Sequence, residues 1–297
     1  MISILIPTYN YNITALLKAL KVELDVSKLI YEILCYEDGS SKYVEENSAI
    51  ASSIKHAEHI ISKENKGRIT TRQSLANMAR YDWLLFLDAD VIPKNSSFLQ
   101  AYSKYLNSNY DTIYGGYFYN LSPPEKQFSL RWHYGKNHEQ VEAKKRNKNP
   151  YKIIISGNFL IKKQIFLEIN SQIENDGYGY DNYLGALMKL NNINVFHINN
   201  NVIHNGLDTN TVFLNKVERA VDTVVQLNEN YRDLTTENTL LEVYKKTKSM
   251  GLSIPIAWVF NLSKSAIKRQ LLGAKPNLKL LQFYKLGYLC TTMSNNI

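Results

Sequence analysis

At 297 residues the chain can bury one large core, or a core with an appendage. Its 44% hydrophobic and 21% charged content is that of an ordinary globular chain and excludes a disordered one. Two cysteines, Cys35 and Cys290, lie far apart without metal-ligand spacing, which argues against a disulfide framework and for a reducing compartment. The formal net charge of +8 is uneven, because Val243 to Ile297 holds nine Lys or Arg and no acid.

Taken in chain order, residues 2–6 predict a first strand, with neither the basic leader nor the small-residue cleavage site of a signal peptide. A cytoplasmic chain is therefore expected. Thr14 to Leu20 predicts a helix with apolar residues at Ala15, Leu16, Leu17, Ala19 and Leu20. Ile30 to Tyr36 predicts a second strand that ends in the turn-rich Glu37-Asp38-Gly39-Ser40. Ala57 to Ile61 is a third strand, Gly67 to Ala79 a helix, and residues 82–87 a fourth strand. Strands alternating with helices of this length imply a parallel sheet.

The fourth strand closes on Asp88-Ala89-Asp90, followed by Val91-Ile92-Pro93. A buried strand ending on two acids sends them out at the carboxyl edge of a sheet, where open α/β folds bind ligands. Two such acids repel each other unless a cation lies between them. Hard oxygen donors of this kind suit magnesium or manganese bridging a diphosphate.

Beyond Asp90 the chain is rich in Tyr, Trp and Asn, with a basic stretch at Lys144-Lys145-Arg146 and Lys148. Ile153 to Ile155 is strand-like and runs into Ser156-Gly157-Asn158. Lys163 to Ile169 and Tyr183 to Leu190 predict helices, and Ile193 to Ile198 a strand in which His197 is structural. From Asp208 helices dominate, with Phe213, Val217, Ala220, Val221 and Val224 at helical spacing toward a core. A boundary after Leu207 divides residues 1–207 from a basic helical region, 208–297.

Pro7-Thr8-Tyr9-Asn10, Glu37-Asp38-Gly39-Ser40 and Asp88-Ala89-Asp90 end three strands at one edge. In order and spacing they resemble the glycosyltransferase family 2 enzymes. The resemblance extends through Asn65-Lys66-Gly67 with Arg72, Ser156 to Ile161, Gly177 to Asn182, and Val202 to Leu207, over roughly the first 230 residues. It implies an inverting glycosyltransferase of the GT-A fold: a Rossmann-like α/β, mostly parallel mixed sheet flanked by helices, here with a C-terminal helical appendage.

Carried over, Pro7, Thr8 and Tyr9 line the nucleotide base and Asp38 accepts from the base imide, which favours a UDP-sugar. Gly67 and Arg72 approach the diphosphate, for which an Arg fork is suited. Asp88 and Ala89 belong to the donor site, Asp88 contacting ribose or metal. Asp90 and His204 hold the Mn2+ (or Mg2+), and Gly157 and Asn158 shape the donor pocket. Asp181 is the catalytic base that takes the acceptor hydroxyl's proton.

The chain departs from the family pattern at Tyr180, where an acid is usual, and at Gln73 and Leu75. Two alternatives stand beside this reading: a sugar nucleotidyltransferase, which expects a basic glycine-rich loop after the first strand, and a catalytically weak sugar-nucleotide-binding module. Arg131 to Lys136, with Trp132 and Tyr134, suits either acceptor binding or core packing. In the tail, Ser249 to Ser263 carries no charge and includes Ile254, Trp258, Val259 and Leu262. At 15 residues it is shorter than a bilayer span. The tail is read either as an interfacial surface for anionic lipid or as a helical appendage with a solvated basic face. The expected partners are a nucleotide-sugar donor, a glycan or lipid-linked acceptor, and an anionic membrane surface, with no nucleic acid.

Overall fold

The chain begins with β1 (Ile2–Thr8), α1 (Thr14–Leu24), β2 (Tyr31–Asp38), α2 (Val44–Ser52), β3 (Ala57–Ser62), α3 (Arg68–Met78) and β4 (Trp83–Leu87). It continues through β5 (Val91–Pro93), α4 (Phe98–Ser103), β6 (Thr112–Phe118), α5 (Ser129–Tyr134), α6 (Ala143–Arg146), β7 (Asn158–Lys162), α7 (Lys163–Asn170), α8 (Tyr180–Leu190) and β8 (Val195–His204). Then come α9 (Asn210–Asn230), α10 (Thr239–Ser249), α11 (Ser253–Leu271) and α12 (Leu278–Asn295). The structure, a computed structural model, describes residues 1–173, 178–230 and 238–295, without the side chains at 180–182, 229, 230 and 295.

The strands form one sheet in the order β3-β2-β1-β4-β7-β6-β8-β5. Pairing is parallel from β3 through β2 and β1 to β4, and again between β6 and β8. β7 runs antiparallel to β4 and β6, and β5 to β8. The sheet is therefore mixed and mostly parallel, as expected. β1, β2 and β4 are near-continuous apolar runs because parallel strands covered on both faces need no alternation. On one face Ile4, Ile6, Ile33, Cys35, Leu85 and Leu87 pack with Leu16, Leu17 and Leu20 of α1. On the other, the Phe86 ring lies 5.0 Å from Phe159 and 4.5 Å from Phe166. Because β1, β2 and β4 are parallel neighbours, their carboxyl ends and the turns after them share one edge.

One local expectation is corrected. Ile153 to Ile155 is not a strand: β4 ends at Leu87, opposite Asn158, so the ladder has no partner to offer further upstream. Within the basic stretch, Lys144, Lys145 and Lys148 are exposed but Arg146 is not. Arg146 is fully buried, and its guanidinium donates to the carbonyls of Gly115, Val141 (2.9 Å) and Ile198 (2.9 Å) and to His197 Nδ1 (2.7 Å). His197 Nε2 in turn donates to the Pro150 carbonyl at 2.8 Å, so one neutral tautomer satisfies both ring nitrogens. The expected structural role of His197 thus has a concrete form.

The chain divides into two compact units. The first comprises the described residues of Met1–Tyr119, Gln140–Asp176 and Met188–Gly206 and contains the sheet. The second comprises those of Asn120–Glu139, Gly177–Leu187 and Leu207–Ile297. The linear boundary after Leu207 thus lies beside the last crossing, while two earlier segments also cluster with the C-terminal helices. Within this second unit Phe213, Val217, Val221 and Val224 are buried and Ala220 is half-buried. Trp132 is buried with its indole N–H donated to the Asn120 carbonyl at 2.9 Å, and Arg131 pairs with Glu139 at 3.0 Å. Those two side chains of the 131–136 segment follow the packing reading.

Candidate active site at the carboxyl edge of the parallel strands

Asp38, the last residue of β2, is buried and binds backbone. Its Oδ1 accepts from the Lys66 N–H at 2.8 Å and its Oδ2 from the Gly67 N–H at 3.0 Å. Gly67 is the N-cap of α3, so the carboxylate also faces the positive end of that helix. The loop reaches Asp38 only because Gly39 lies beneath it. A Cβ on Gly39 would meet Asn65 N at 2.4 Å, and its φ of +69° is a left-handed conformation that glycine takes without strain. Glu37, fully buried on the opposite side of the strand, accepts from Asn47 Nδ2 at 2.6 Å and lies 3.2 Å from His59 Nε2.

α3 presents Arg68 and Arg72, four residues apart and hence on one helix face, toward the end of β4. Arg72 donates to Asp88 Oδ1 and, at 2.9 Å, to the Ser156 carbonyl. Arg68 donates to Asp88 Oδ2 at 3.3 Å and to Ser156 Oγ at 2.8 Å. Burial pushes the Asp88 carboxyl up, but Arg72, Arg68 and His204 outweigh it and hold the group below its ordinary range. Gly157 closes this corner: its N–H donates to Tyr117 Oη at 2.9 Å, and a Cβ there would meet that oxygen at 2.3 Å and Asp88 Oδ2 at 2.5 Å.

Asp90 lies beside His204, the last residue of β8, with Nε2 3.7 Å from Asp90 Oδ2. That separation is too long for a hydrogen bond but short enough for one ion to touch both atoms. The imidazole is held by ring contacts, 5.5 Å from Tyr119 and 5.3 Å from Tyr117. Its Nδ1 is buried with no hydrogen-bond partner. Gly206 passes over the carboxylate so closely that a Cβ would fall 1.9 Å from Asp90 Oδ2. A carboxylate oxygen and an imidazole nitrogen suit manganese, so the pair fits a divalent cation and would hold it by two ligands.

The structure brings together Asp38, Gly67, Arg72, Asp88, Ala89, Asp90, Gly157 and His204 in the sheet-bearing unit, with Pro7, Thr8 and Tyr9 on the neighbouring strand end. Thr8 is buried and Tyr9 is exposed. It does not gather the expected three metal ligands. Among the described residues no group of three His, Cys, Asp or Glu is arranged to hold an ion, because Asp88 faces the arginines and leaves Asp90 and His204 as a pair. Asn158 is also corrected. It is fully buried, its Nδ2 donates to the Gly116 (3.1 Å) and Asn200 (2.8 Å) carbonyls, and its Oδ1 accepts from Tyr102 Oη (2.7 Å). An amide so engaged ties three strands together and has no donor left for a sugar. The Asp181 side chain lies outside the described residues.

Sequence reasoning passed over Arg68, whose signal was its four-residue spacing from Arg72. It also passed over Tyr11, whose phenol is pushed up by burial and then by the Asp90 charge, and Tyr117, which no short motif marks.

A mixed, mostly parallel sheet flanked by helices, with further helices at its C-terminal end, is a GT-A-like fold. The chain belongs to glycosyl transferase family 2, which matches residues 3–169. It is therefore a glycosyltransferase. Among solved structures it is similar to mannosyl-3-phosphoglycerate synthase from Rubrobacter xylanophilus, at 14% identity and a TM-score of 0.56, covering 80% of this chain and 77% of that one. A mycobacterial protein matches at 13% identity with a TM-score of 0.51, over 77% and 74% of the two chains. Glucosyl-3-phosphoglycerate synthase from Mycobacterium tuberculosis, solved with Mn2+, uridine diphosphate and glucosyl-3-phosphoglycerate, matches at 16% identity, a TM-score of 0.50, and 76% and 79% coverage. No curated protein matches the chain.

Proposed function

We propose that this enzyme takes a sugar from a UDP-sugar and passes it, with inversion, to a hydroxyl of a glycan or lipid-linked acceptor at the inner face of the cytoplasmic membrane. The observation that carries the reading is the joint placement of Asp38, Asp88, Asp90, Arg68, Arg72 and His204 around the ends of β2, β4 and β8. The mycobacterial synthase solved with Mn2+ and uridine diphosphate supports the same donor class and cation.

Each residue then has a role that its chemistry permits. Pro7, Thr8 and Tyr9 border the base. Each oxygen of Asp38 accepts one backbone hydrogen bond and has a further lone pair for the uracil imide. Arg68 and Arg72, aligned by Asp88, supply positive charge for the diphosphate oxygens. Asp90 and His204 would hold Mn2+ or Mg2+, which when bound supplies charge neutralisation at the diphosphate. Asp181 accepts the acceptor hydroxyl's proton as its oxygen bonds to the anomeric carbon, opposite the departing nucleoside diphosphate.

The test is release of nucleoside diphosphate from a panel of UDP-sugars with Mn2+. Slow donor hydrolysis, lost in Asp90→Ala by about a hundred-fold or more, is the expected result. Asp181→Asn should keep donor binding and lose transfer. Tight donor binding without turnover, across all candidate acceptors, would instead leave a silent sugar-nucleotide-binding module.

A further inference from the structure

We infer that the outward face of α11, with the α10–α11 turn, docks flat on an anionic phospholipid surface. The inward face of α11 is fixed: Ala257, Phe260, Ile267 and Leu271 are buried, and the Phe260 ring packs edge-on to Tyr284 of α12 at 5.1 Å. Gly287 of α12 permits this contact, since a Cβ there would meet Phe260 side-chain atoms at 2.4 to 2.6 Å. The opposite face is apolar too. Ile254, Trp258 and Leu262 recur every fourth residue and are 72%, 66% and 69% exposed. Val259 beside them, and Met250 and Leu252 in the preceding turn, are also exposed. From Ile254 to Leu262 α11 therefore has apolar side chains on both faces, yet among the described residues only the inward ones are covered.

Charge selects the occupant. The exposed Lys245, Lys246 and Lys248 precede the apolar stripe, the exposed Arg269 continues it, and no acid occurs from Val243 to the end of the chain. Large apolar side chains including a Trp, with exposed cations before and after them in the chain, suit the boundary between headgroups and acyl chains of an anionic leaflet. A second copy would bring the same cations into register with these, whereas a lipid surface supplies the missing negative charge. No described helix is long and apolar enough to cross a membrane, and docking of one helix face on a surface requires none. The inference deepens the proposal of a membrane-side acceptor, but its evidence is independent of the donor site.

The experiment mixes the full chain with vesicles of phosphatidylglycerol and phosphatidylcholine, or of phosphatidylcholine alone, and reads sedimentation and tryptophan emission. Trp83 and Trp132 are buried, so a blue shift reports Trp258. Expected are binding to the anionic vesicles, weakening with salt, and a blue shift absent from Trp258→Phe. Trp258→Glu and Leu262→Glu, both at exposed positions, should each reduce partition at least about ten-fold. Lys248→Gln should reduce it about five-fold. Failure to bind anionic vesicles, or equal binding by the Glu variants, overturns the inference. So does a vesicle-free dimer that Leu262→Glu converts to monomer, which assigns the face to a second copy. Donor hydrolysis without vesicles should be unchanged in all these variants, so its absence would count against the glycosyltransfer reading and not against docking.

Discussion

Asp88 illustrates how one side chain can hold a site together through its neighbours. Its carboxylate aligns Arg68 and Arg72, one of them almost wholly buried. Asp88→Asn leaves two guanidinium groups without their counter-charge, and we expect a loss of about 2–3 kcal/mol in urea unfolding together with weaker donor binding. Gly157→Ala should act differently. The new methyl drives Tyr117 and Asp88 apart, so donor hydrolysis should fall about ten-fold or more while stability drops by about 1–3 kcal/mol. Thermal melts alongside nucleotide release will separate the two effects. Of this corner, the aspartates and Arg72 could be read from the sequence because motif spacing marks them. Arg68 could have been read from its helical phase. Asn158 could not: its amide reaches the carbonyls of Gly116 and Asn200, 42 residues away on either side, and no local pattern encodes such partners.

At the scale of elements, β1 to β4 with α1 and α3 follow their hydrophobic periodicity, since alternating short apolar runs and amphipathic segments admit little else. β7 and β8 are harder. β7 starts where β4 and β6 offer ladder partners, and β8 runs to His204, six residues beyond the expected end at Ile198, because it pairs with both β6 and β5. Strand limits set by long-range pairing are invisible to a window of ten residues. The α11–α12 contact is similarly non-local and offers a clean measurement. Gly287→Ala should overpack against Phe260 and lower stability by about 1–3 kcal/mol. If the melting temperature does not move, the close approach of the two helices is not tight.

At the scale of the whole molecule, the buried Arg146–His197 pair sets a pH dependence. Burial lowers the His197 pKa to about 4, with the Arg146 charge adding to the effect and the Pro150 carbonyl opposing it. The unfolded chain therefore binds a proton that the fold refuses between pH about 6.5 and about 4. Stability is complete above that window and declines as pH falls through it, by up to about 1.4 kcal/mol per unit. The Asp88 contribution has the usual carboxylate sign: it is present above an ordinary pKa of 3.8 and fails only in stronger acid. Urea titrations at pH 7, 5.5 and 4.5 should show the decline, and His197→Gln should flatten it. An equal slope in the variant would place the acid sensitivity elsewhere.

What the sequence determined by itself was the alternation of strands and helices, the edge where Asp38, Asp88 and Asp90 emerge, and a tail with no negative charge. All three are properties of short windows, where periodicity and composition act directly. The tertiary structure alone decided that Asp88 faces arginines, that Asp90 and His204 form a pair, that Arg146 is buried, and which face of α11 stays uncovered. Those outcomes depend on side chains distant in sequence meeting in space, and only the packed fold fixes their distances.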